Sequence, residues 1–177
     1  MEAGSDGSKT GKEEEGMSAA PTVTPAPVAY EPAARRHWLD AETLFNQGRL
    51  ANAGQLYGFV AECGLKALLL ACGVRPSSTD GGIPGEHPTK PGKPHPLRQH
   101  MPNLTSRIAT HGQLIPDGPQ ATRYLATMPG LNRFHDWSVD HRYWHDGALP
   151  LASVPYWRSA AQEVSTMLDQ AKQDGVL

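Results

Sequence analysis

Residues 56–73 read LYGFVAECGLKALLLACG, an apolar run interrupted by one acid, Glu62, and one base, Lys66. Its apolar positions recur at three- and four-residue spacing, and the run continues upstream through Leu50 and Ala53. That periodicity predicts one long helix over residues 49–72, apolar on most of its circumference and therefore central to whatever core forms. Gly54, Gly58 and Gly64 fall inside it. A glycine in a helix interior costs about 1 kcal/mol relative to alanine, so each of the three predicts a close neighbour that offsets it. Gly73 supplies the stop and Pro76 prevents the helix from resuming.

The flanking sequence fits the same class. Residues 33–47 place Trp38, Ala41, Leu44 and Phe45 on one stripe, ending at Gly48. Helices are expected over 97–111 or from Pro102 onward, over 119–128, and over 154–173 with Val164, Met167, Leu168 and Ala171 inward and Ser153 as N-cap. Residues 75–96 hold six prolines and four glycines and read as a surface loop, either an insertion or a functional flap. No segment alternates as a strand does. The expected fold is all-α, a four- to five-helix up-and-down bundle over 33–174. A disordered tail over 1–32, acidic and then proline-rich, precedes it.

Charge narrows the function classes. The first thirty residues carry five acids against two lysines, and the whole chain is −2, so the bundle itself is nearly neutral. A broad basic face for nucleic acid does not follow from such a balance. The apolar runs are too short to span a bilayer, which needs about 20 residues, and no secretory layout precedes the fold. Cys63 and Cys72 would lie about 13 Å apart along one helix, too far for a disulfide. A cytoplasmic protein with free thiols and no membrane partner is expected.

The chemistry-bearing residues gather in FHDWSVDHRYWHDG, 134–147. Arg133, Asp136, His141, Arg142 and His145 are interleaved there with Trp137, Tyr143 and Trp144. Arginine holds phosphate, histidine exchanges protons near neutral pH, and aromatic faces stack on bases. A metal-free RNA cleavage site needs a histidine for the proton and an arginine for the developing phosphorane charge. Arg142 and His145 would share a face if this segment were α-helical. In the plainer reading, Trp137, Tyr143 and Trp144 fill the core and the charges face water. Glu62 and Lys66, four apart, either form an exposed ion pair or turn inward, with Glu62 orienting an arginine or histidine from 134–145. His141 and His145 have a helical zinc spacing that Asp136 would extend, but no HExxH motif accompanies them. Phosphate-binding loops, GxSxG and CxxC are absent from the sequence.

On WLDAETLFNQGRLANAGQLYGFVAECGLKALLLACG at 38–73, with FHDWSVDHRY at 134–143, the chain resembles the HEPN superfamily, small helical domains of prokaryotic toxin–antitoxin and defence systems. The family's second-helix run, small–Glu–x–x–Leu–Lys–Ala–Leu–Leu, is matched by Ala61, Glu62, Leu65, Lys66, Ala67, Leu68 and Leu69. The resemblance covers roughly residues 35–172. It implies a bundle that often dimerises and, in active members, metal-independent RNase chemistry. The family's catalytic Arg and His are separated by four to six residues. Here Arg142 and His145 have two between them, and Arg133 and His141 have seven. The expected function is RNA binding in a defence or toxin–antitoxin setting. Arg133, Trp137, Tyr143 and Trp144 would contact the RNA. If cleavage accompanies binding, Arg142 would contact phosphate, His145 or His141 would exchange the proton, and Asp136 and Glu62 would orient them. The alternatives are a non-catalytic module docking an antitoxin or a nucleotidyltransferase, and a metal-dependent hydrolase built on His141, His145 and Asp136. A homodimer without cofactor is expected.

Overall fold

The long apolar run forms the axis of the fold. In the computed structural model, which describes Met1 and residues 26–177, helix α2 (Leu50–Ala71) buries residues on nearly every side, Tyr57, Leu65 and Leu68 among them. Its glycines mark the close approaches. A Cβ on Gly54 would meet Val154 and Trp157 at 2.9–3.0 Å, one on Gly64 would strike Val164, and one on Gly58 would strike the Trp137 ring. Val154, Trp157 and Val164 belong to α5 (Val154–Gln173), so two of these glycines seat that helix against α2. The acidic part of the expected tail lies outside the described residues. Its last residues do not: α1 (Tyr30–Asn46) begins three residues before the expected start, and the Val28 N–H donates to the Asp80 carbonyl at 2.7 Å.

Polar contacts between the long helices set their directions. Glu42 on α1 accepts from Tyr57 Oη on α2 at 2.6 Å and from the Arg158 guanidinium on α5 at 2.6 and 2.8 Å. Arg35, one end of α1, pairs with Glu31 and with Asp169 near the far end of α5. Thus α1 runs antiparallel to α2 and to α5, while α2 and α5 run parallel across the long connection between them. Gly48 and Gly73, at φ 74° and 90°, turn the chain just past α1 and α2, in backbone a side chain rarely adopts. The class is the all-α bundle expected. Among the described residues, no helix is long and apolar enough to cross a membrane.

The connection departs from expectation in one place and settles a second. Residues 75–96 contain an antiparallel hairpin, β1 (Glu86–His87) against β2 (Lys90–Pro94), with a register irregularity between Glu86 and His87. Around it Ile83, His95 and Leu97 are buried, and the Ile83 N–H donates to Tyr30 Oη. The segment is therefore pinned to the bundle; proline and glycine removed the alternation from the sequence, but not the pairing. Helix α3 (Asn103–Thr110) starts after Pro102 rather than at 97, since proline fits a first turn and not an interior one. Helix α4 (Gly118–Leu125) is capped by Asp117, whose carboxylate accepts from the Gln120 N–H at 3.0 Å.

Leu65 is fully buried in α2. Leu65→Ala is expected to lose about 2–5 kcal/mol in urea denaturation, the range for a truncated core leucine. An unchanged midpoint would place the buried face of α2 elsewhere.

Candidate functional site

The segment linking α4 to α5 is a chain of short 3-10 turns, Pro129–Asp136, Val139–Tyr143, Asp146–Ala148 and Leu151–Ser153. Pro129, Gly130, Gly147 and Pro150 punctuate it, so no α-helix forms over the expected cluster. Within 134–147 three side chains turn inward, Phe134, Trp137 and His141. Trp137 lies flat over Gly58, donates Nε1–H to the Gly54 carbonyl at 3.0 Å, and meets Phe59 edge-on at 5.8 Å. It is a core residue and offers no face to RNA.

His141 and Asp136 also serve the packing. His141 sits between Trp144, at 4.5 Å, and Trp157, stacked at 5.8 Å. Burial pushes the imidazole below its ordinary pKa, against the pull of Asp136 and Asp140, so it is neutral at neutral pH. Asp136 accepts from Trp157 Nε1 at 2.9 Å and from the Ser153 hydroxyl. Burial opposes its charge, but these hydrogen bonds hold it below the usual carboxylate range. Ser153 therefore binds Asp136 and makes no side-chain cap for α5. A catalytic role for Asp136 orienting Arg142 or His145 does not fit this arrangement.

The remaining members of the cluster face water. The Arg142 guanidinium lies 4.7 Å over the Tyr143 ring and makes no ion pair among the described residues. Tyr143 and Trp144 are 74% and 47% exposed. The 3-10 turn ends at Tyr143, and His145 is extended at φ −70°, ψ 152°. The helical i, i+3 geometry expected of Arg142 and His145 is therefore not formed. Arg133 donates to Ser159 Oγ at 2.7 Å and, with His135 and Tyr156, lines a shallow cleft of about 290 Å³.

Glu62 is neither on an exposed strip nor bound to the 134–145 segment. It is buried, and it accepts from Lys66 Nζ at 2.7 Å and from His100 Nδ1 at 2.9 and 3.1 Å. Lys66 is buried as well, its ammonium 5.7 Å from the centre of the Tyr30 ring. A histidine partner for Glu62 was anticipated, but His100, 38 residues away, was not singled out for it. Nothing local marks that contact, because it exists only when the chain before α3 returns to α2.

Cys63 and Cys72 are free. Burial raises the Cys63 thiol to about 11, so it is not a thiolate nucleophile at neutral pH. No group of three or more His, Cys, Asp or Glu side chains among the described residues comes together in a way that would hold a metal ion. His141 is shielded by tryptophans while His145 is exposed, so the two histidines of zinc-like spacing differ in access to a ligand. No family model matches the chain, and neither a curated protein nor a solved structure matches it.

Proposed function

We propose that this chain binds single-stranded RNA along the exposed edge Arg142–Tyr143–Trp144, with no cleavage at that edge. The observation that carries the reading is two consecutive exposed aromatics beside an arginine that makes no ion pair among the described residues. Aromatic rings bury large apolar area wherever they pack, so their exposure here leaves ready stacking platforms. Tyr156, 61% exposed beside Arg133, adds a second platform on α5. The resemblance of Ala61–Leu69 to the HEPN pattern suggests RNA as the ligand class, and with it a homodimer and a defence or toxin–antitoxin setting. Cleavage lacks its components at this edge: His141 is enclosed, Asp136 and Glu62 are bonded elsewhere, and Arg142 and His145 do not share a helical face.

The nearly neutral bundle makes stacking, not charge, the source of affinity. Contact through Arg142 and Arg133 would neutralise about two phosphates, so log K is expected to fall against log salt with a slope of about −1.4. Each stacked base contributes about 1–3 kcal/mol, so the Tyr143→Ala/Trp144→Ala variant should bind an oligouridine about tenfold or more weakly in fluorescence anisotropy. The RNA should remain intact in EDTA. A folded double variant with undiminished affinity would remove this reading and leave the edge to a protein partner.

A further inference from the structure

A cavity of about 720 Å³ plays no part in RNA binding and lies at the other end of α2, where the 75–96 segment folds back. Pro76, Pro84, Pro88, Leu114 and Pro116 form its apolar wall, and Ser77, Ser78, Thr79 and Glu86 line it as well. Two nitrogen-bearing side chains, His95 and Arg75, distinguish it from a packing defect. His95 is only 3% exposed and lines the cavity. Its backbone N–H donates to the Gly85 carbonyl at 2.9 Å, and its Nδ1 accepts from the Leu97 N–H at 3.2 Å. An Nδ1 that accepts leaves the neutral ring's proton on Nε2, and this N–H has no protein partner among the described residues. Arg75, on the same wall, makes no ion pair among the described residues.

From this geometry we infer that the cavity binds a small organic carboxylate, its head held by Arg75 and His95 Nε2–H and its apolar body against the prolines. A guanidinium matches a carboxylate with two parallel N–H donors, and the imidazole N–H adds a third. A single negative charge is the most this site accepts, because Arg75 is the one Lys or Arg among the described residues of its lining and Glu86 opposes any anion there. Burial, with His87 and His111 adding to it, keeps His95 below its ordinary pKa and hence neutral, so Arg75 supplies one positive charge. Glu86 on the same lining disfavours a second negative charge on the ligand. The 75–96 segment thereby becomes the wall of a site instead of a passive insertion.

The test is a titration of the full chain with benzoate and, separately, inorganic phosphate, followed by NMR at the His95 ring and at the Ser77–Thr79 amides. Benzoate is expected to give saturating shifts at a Kd of about 1 mM, a value typical of a fragment-sized ligand, with phosphate weaker. Arg75 is exposed, so Arg75→Gln keeps the fold and should weaken benzoate about tenfold. His95→Gln should weaken it too, but it is read only if its amide spectrum stays dispersed. Benzoate that gives no saturating shifts, benzoate affinity indifferent to Arg75→Gln, or phosphate binding as tightly as benzoate would each overturn the inference. Because Tyr143 and Trp144 take no part, failure here leaves the RNA reading untouched.

Discussion

Gly58→Ala is expected to destabilise this protein by about 3 kcal/mol, the upper part of the range for overpacking a filled core. In an exposed helix the same change would stabilise by about 1 kcal/mol. The reversal comes from Trp137, whose indole occupies the space a Cβ would take. The ring cannot retreat cheaply, since Nε1–H is bonded to the Gly54 carbonyl at 3.0 Å and Phe59 backs it edge-on. Denaturation of Gly58→Ala, Trp137→Ala and the double variant gives the check. With the indole gone the added methyl meets no obstacle, so the two changes should couple by at least about 2 kcal/mol. Additive losses would mean that Trp137 does not rest on α2.

Glu62→Ala should be of similar or greater size, about 3–5 kcal/mol, because it strands the buried Lys66 ammonium without its anion. His100 cannot substitute, being a cation when charged and largely exposed in any case. The informative companion is Glu62→Leu with Lys66→Met. Removing both charges together removes two desolvation penalties along with the attraction, so the double variant should recover most of the loss in urea denaturation. If Glu62→Ala alone is harmless, the pair is hydrated and the inward placement of Glu62 is wrong.

The helical parts were legible because their signal is local. The spacing of Leu50, Ala53, Leu56, Tyr57, Val60, Ala61, Gly64, Leu65, Leu68 and Leu69 marked the inward side of α2; all are buried except Leu50 and Leu56, which are half-buried. Val164, Met167, Leu168 and Ala171 were likewise assigned inward on α5, and are. The glycines announced close neighbours through their helical cost alone, though not which neighbours. By contrast, four aromatics or near-aromatics in one short stretch, Trp137, His141, Tyr143 and Trp144, could not be sorted into core and surface. Hydropathy rates them alike, and the 3-10 turns that carry them have too little regularity to define a face. The hairpin at 86–94 was hidden for a related reason: its second strand is only proline, glycine and lysine, and its pairing rests on backbone hydrogen bonds that side-chain patterns do not encode.

What the sequence by itself determined is the helical class, the central place of α2, the extents of α2 and α5 and the need for close packing at Gly54, Gly58 and Gly64. These follow from periodicity and backbone preference, which act over a few residues. Only the tertiary structure decided that Trp137 answers Gly58, that His100 and not a residue of 134–145 answers Glu62, that His141 is enclosed while Arg142, Tyr143 and Trp144 stay open, and that His95 faces a cavity. Each joins groups distant along the chain or selects among chemically similar neighbours, and local periodicity carries no information on either.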